Sequence, residues 1–61
     1  MLNAPNGQVR RVNHPMPRGF ELWADEDGSW WWFEPSTGRQ GDLKCMKDDA
    51  IRQARAASKA R

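Results

Sequence analysis

The chain has 61 residues, 10 Lys+Arg against 8 Asp+Glu, and a formal net charge of +2. That length is one small domain, of a size that buries only about 60 % of its unfolded surface, and the single Cys excludes an internal disulfide and a Cys-based zinc site. No apolar run approaches the ~20 residues of a membrane span, no signal-peptide pattern is present, and the near-balanced charge argues against a simple polybasic binder of nucleic acid or membrane, so the expected location is the cytoplasm.

Residues 1–18 contain Pro5, Pro15, Pro17 and the turn-forming Asn6-Gly7, with no sustained periodicity. They are expected to be an extended or disordered basic arm carrying Arg10, Arg11, His14 and Arg18. Such an arm is either a solvated tail or a strip that lies along a partner's groove. Residues 19–61 are expected to be a single ββ(β)α domain.

Phe20 to Ala24 is a short aromatic run with partial alternation, and Ser29 to Glu34 holds four consecutive aromatics, so both read as strands. Asp25-Glu26-Asp27-Gly28 between them is turn chemistry. A connection of even length, two or four residues, places Phe20, Leu22, Ala24, Trp31 and Phe33 on one face. It places Glu21, Trp23, Trp30, Trp32 and Glu34 on the other. The first set is wholly apolar and is the expected core face; an odd-length connection would break this assignment.

Pro35 to Gly38 is a second turn. A short third strand follows over roughly 39–44, with Gly41 and Asp42 marking it as an edge strand or an irregular return. Leu43 and Cys45 are expected to point inward. Lys47 to Ala60 reads as a helix rich in Ala, Arg, Gln and Lys. Asp48 and Asp49 in its first turn and Lys59 at its end suit the helix dipole; no good N-cap residue precedes it. Ala50, Ile51, Ala54 and Ala57 form its apolar stripe, and Arg52, Arg55 and Lys59 its solvent side. The expected fold class is therefore α+β: a three-stranded antiparallel sheet, a C-terminal helix on one face and an extended N-terminal arm.

Little in the chain points to catalysis. Cys45 and His14 are the only candidates for a Cys–His pair, and they lie at the strand–helix joint and in the arm. Asp25, Glu26 and Asp27 sit at a hairpin tip, where solvated turn residues are expected, and they lack the spacing of a calcium loop. No Gly-rich phosphate loop is present. The expectation is a non-enzymatic protein with no cofactor and no metal.

The Trp cluster carries the functional reading. Three Trp on the face away from the helix are more than a monomer exposes without a covering partner. Either the arm folds back over them, with Met16 and Pro17 against the rings, or they form a binding face. The expected protein-binding residues are Trp23, Trp30, Trp32, Glu21, Asp25, Glu26 and Asp27, with a homodimer through the Trp face as another use of the same surface.

The stretches Arg10-Arg11, Pro15-Met16-Pro17, Phe20 to Trp23, Trp30 to Trp32, Glu34-Pro35-Ser36-Thr37-Gly38-Arg39 and the helix around Ala50-Ile51 together resemble the N-terminal arm-type DNA-binding domain of lambda-like phage integrases. The resemblance implies that the sheet face away from the helix enters the DNA major groove and that the tail, here Arg10 and Arg11, reaches a minor groove. The tail fits this pattern. The expected outward face departs from it, because three Trp and two acids stand where Arg, Lys, Asn or Gln would read bases.

Two functions follow. The first is a phage or mobile-element accessory protein, without a catalytic domain of its own, that docks on a host protein or nucleoprotein complex through the Trp face and the acidic tip. An inhibitor of the anti-CRISPR kind fits it. The alternative is a duplex DNA-binding module like an integrase arm domain or an excisionase-type regulator. It would use Arg10, Arg11, Arg18, Arg52, Arg55 and Lys59.

Overall fold

The computed structural model describes residues 9–60. Four strands, β1 (Val9–Val12), β2 (Glu21–Asp25), β3 (Trp30–Glu34) and β4 (Arg39–Gln40), precede one helix, α1 (Lys47–Lys59). The sheet is antiparallel throughout, in the order β1-β2-β3-β4.

The β2–β3 connection decides the faces. The Asp25 N–H donates to Ser29 O at 3.0 Å, so only Glu26, Asp27 and Gly28 lie outside the ladder. Oδ1 of Asp25 accepts from the N–H groups of Asp27 and Ser29, each at 3.0 Å, which closes the turn from inside. Gly28 adopts φ +82°, the left-handed step that ends a three-residue hairpin loop. The connection is therefore odd in length. Ala24 stands opposite Trp30, Leu22 opposite Trp32, Trp23 opposite Trp31 and Glu21 opposite Phe33. Opposed residues share a face, so β3 is turned over relative to the expectation. Phe20, Leu22 and Ala24 share theirs with Trp30, Trp32 and Glu34, while Trp31 and Phe33 lie on the other side with Glu21 and Trp23.

The arm also differs from the expectation in part. Val9–Val12 pairs with β2 from Asp25 back to Leu22, making a fourth strand of what was expected to be an extended or disordered tail. Val12 and Met16 then pack into the core. The part of the arm over residues 1–8 lies outside the described residues.

The second turn follows the sequence closely. Gly38, at φ +78°, donates to Glu34 O at 2.8 Å and returns the chain to β4. The return along β3 is irregular, as Gly41 and Asp42 imply. After β4, the Gly41 N–H donates to Trp32 O at 3.0 Å, and Cys45 exchanges two backbone bonds with Trp30. Leu43 and Cys45 are half-buried.

Helix α1 packs chiefly on β3. It begins at Met46 with no side-chain cap. Its Ala50, Ile51 and Ala54 are buried and Ala57 is half-buried, as the stripe predicts. Small side chains on the helix meet large ones on the sheet. Ala54 sits with Phe20 and Trp32, whose rings are 5.2 Å apart, while Ala50 and Ile51 sit with Leu22, Val12 and Trp30. Met16 packs against both groups and joins them.

Gly41 lies flat against the edge of the Trp32 indole. A Cβ there would fall within 2.6 Å of Trp32 Cδ1 and 3.1 Å of Gln53 Oε1. The ring is wedged against Phe20 and Ala54 and has little room to yield. Gly41→Ala should therefore cost about 1–3 kcal/mol as an overpacked core change. Gly38→Ala meets no atom within 4 Å, so it should cost only the left-handed backbone penalty of about 1–2 kcal/mol. Denaturant melts of the two variants check the order.

Candidate functional site

The turned-over strand dismantles the expected Trp face. Trp32 is 7 % exposed and belongs to the core under α1. Trp30 is half-buried against the Leu22, Ala50 and Ile51 group, and the Lys47 ammonium caps its ring at 5.6 Å. Glu34, 1 % exposed, lies on the same side. Its Oε1 accepts from Thr37 Oγ1 at 2.8 Å and from Arg39 Nε at 2.9 Å, and Arg39 Nη2 completes a two-pronged ion pair at 2.8 Å. The same guanidinium stands over the Trp32 ring at 5.8 Å. Trp32 and Glu34 are thus buried in the fold, and Trp30 keeps only part of its surface in solvent.

Trp23 and Glu21 do remain on the side away from α1. Trp23 is half-buried, and its Nε1 donates to Glu21 Oε1 at 3.1 Å. The other oxygen of Glu21 pairs with Arg11 Nη1 at 3.3 Å. Trp31, expected against the helix, is fully buried on this side instead, beside Trp23. Asp25 is 3 % exposed and engaged in the turn, so it is not a solvated tip residue. Glu26 and Asp27 are exposed at the tip as expected. Met46 is the one large apolar side chain left exposed among the described residues.

The basic residues are distributed differently. Arg10, Arg11, Arg18, Arg52, Arg55 and Lys59 are all exposed. Arg11 shares the far side with Trp23, its register partner. Arg10 lies on the side of β1 that also carries Val12, which packs toward α1. Arg52, Arg55 and Lys59 recur at helical spacing along the exposed side of α1. Arg52 pairs with Asp49 one turn earlier.

Between the segment that follows β1 and helix α1 runs a groove of about 400 Å³, lined by His14, Asp48, Ile51, Arg52 and Arg55. It brings His14 of the arm beside Arg52 and Arg55 of the helix, with Asp48 in the same lining. His14, expected in the basic arm, is half-buried in this groove. Its position midway between Val12 and Met16, both core residues, is the signal that marks it, since a two-residue spacing in extended chain returns to the same side.

Cys45 stands at the strand–helix joint, where its Sγ accepts from Gln53 Nε2 at 3.1 Å. No helix among the described residues is long and apolar enough to cross a membrane. No protein-family model, curated protein or solved structure matches this chain.

The two ion pairs on the sheet should differ sharply in worth. Arg39→Ala strips a buried carboxylate of its charged partner and should cost about 1–3 kcal/mol. Arg11→Ala breaks a pair whose Arg side chain is 65 % exposed and should cost at most about 1 kcal/mol. Urea titrations of both variants make the comparison.

Proposed function

We propose that this chain is a non-catalytic module that binds duplex nucleic acid through the flank formed by β1 and α1. Arg10, Arg52, Arg55 and Lys59 supply its phosphate contacts. The observation that carries this reading is the groove that His14 of the arm shares with Arg52 and Arg55 of α1, with Asp48 also in its lining. A second support is what the turned-over strand removes. Trp32 and Glu34 are buried and Trp30 packs against the core, so the Trp face expected to receive a protein is not assembled. Four of the eight acids, Glu34, Glu21, Asp49 and Asp25, hold a partner inside the structure, three of them an Arg. The likeness to integrase arm domains agrees with the class of ligand, although the flank used here is not the sheet face which that likeness implies.

A second reading is docking on a host protein or nucleoprotein complex. It is favoured by Trp23 and Phe33, which are half-buried beside Trp31 on the side away from α1. The two readings use opposite sides of the sheet, so single variants separate them.

The test is fluorescence anisotropy with a labelled 20-base-pair duplex over a salt series. Binding should weaken steeply with salt, and Arg10→Ala combined with Lys59→Ala should reduce the slope of log K against log salt by about 2, one for each phosphate contact removed. Trp23→Ala should leave the duplex affinity unchanged. Absence of binding at low salt, or a slope that the double variant leaves intact, rejects the nucleic-acid reading. Loss of duplex binding in a folded Trp23→Ala protein moves the site to the far face.

A further inference from the structure

We infer that the groove between residues 13–16 and α1 is a discrete phosphate site, with His14 and Arg55 as its principal donors and His14 protonation as its control. The inference rests on the nucleic-acid reading above and names the group that the flank holds.

Its geometry separates the roles of the lining residues. Ile51, buried in the core group with Leu22 and Ala50, forms an apolar floor. Arg52 and Arg55 are one helical turn apart and border the same groove. Arg52 is held by its ion pair with Asp49, so part of its charge is already answered. Arg55 has no ion-pair partner among the described residues and brings a full guanidinium, whose planar donors match a phosphate's oxygens.

His14 is set up for an anion by its other nitrogen. Nδ1 lies 2.9 Å from Pro15 O. A carbonyl oxygen only accepts, so Nδ1 carries a proton, and the neutral ring then offers Nε2 as an acceptor. Nε2 becomes a donor only when the ring is charged. A phosphodiester oxygen, which has no proton to give, is therefore held by the imidazolium and poorly by the neutral ring. The charged groups around His14 on α1 are Asp48, Arg52 and Arg55. Asp48 opposes a bound anion, and its contribution has the opposite sign to that of Arg55.

The experiment is an amide NMR titration of the whole chain, with sodium chloride at matched ionic strength as reference. The probes are inorganic phosphate and a dinucleoside monophosphate. The diester keeps one negative charge across the range, so any pH effect on its binding belongs to the protein. Shifts at Ile51, Arg52 and Arg55 should saturate with phosphate chemistry and not with chloride. The diester should bind roughly fivefold more tightly at pH 5.5 than at pH 8, because only the charged ring donates from Nε2. His14→Gln and His14→Ala should each abolish that pH dependence. Arg55→Ala should weaken binding by about fivefold, and Asp48→Asn should strengthen it. Circular dichroism confirms that each variant is folded.

Saturation by the diester alone assigns the site to a nucleic-acid backbone, and saturation by inorganic phosphate alone assigns it to a free phosphate; both support the site. Shifts that chloride reproduces, or that survive both His14→Ala and Arg55→Ala, overturn it. A phosphate site that stands while the duplex fails to bind rejects the nucleic-acid reading and leaves the groove. Duplex binding that persists without saturable phosphate shifts rejects the groove and leaves the reading.

Discussion

Two backbone N–H groups, those of Asp27 and Ser29, converge on Oδ1 of Asp25. That contact closes the hairpin after three residues and sets every later choice in the fold. Because strand side chains alternate with a period of two, one residue more or less in this turn exchanges the two faces of β3. The turn therefore selects which aromatics meet the helix. It places Trp30 and Trp32 under α1 and sends Trp31 and Phe33 to the far side. It also brings Glu34 round to the side where Arg39 can cover it. Asp25 itself, which looks like part of a solvated tip, is a buried structural group.

The remaining packing follows from the size mismatch this creates. Two Trp and a Phe on the inner face leave room only for small groups opposite, and α1 supplies Ala50, Ala54 and Ala57. The same crowding explains Gly41, where the return strand passes the Trp32 indole too closely for any side chain. So small a core needs every apolar residue within reach. Val12 and Met16 are drawn in from the N-terminal segment, and β1 is thereby fastened to the edge of the sheet.

The same packing decides where charge is left in solvent. The aromatic residues that seemed available for a partner are mostly core or half-buried, and four acids are engaged within the fold. The arginines of α1 and β1 stay in solvent, and the fastening of β1 carries His14 to the side of the helix. The basic flank is thus a by-product of the core: Val12 and Met16 pack inward, and His14, between them, borders the groove with Arg52 and Arg55.

Much of this was legible locally. The two turns, the helix with its bounds and stripe, the irregular return past Gly41 and the α+β class follow from short-range chemistry, in which Gly, Pro, Asp and Ala act on their immediate neighbours. Arg52, Arg55 and Lys59 could be assigned to solvent by helical spacing alone. The faces of β3 could not, because Asp25-Glu26-Asp27-Gly28 allows a connection of two, three or four residues, and periodicity is blind to the difference. Tertiary structure decided it: the three-residue loop places Trp32 against Phe20 and Ala54 while Asp25 satisfies the turn from within. Nor did the arm reveal its strand, since Val9–Val12 has only two apolar residues and gains order through β2, whose partners lie ten or more positions away. Local sequence determined which elements exist; the pairing of those elements determined which side chains meet, because burial of the large aromatics depends on contacts that no short window contains.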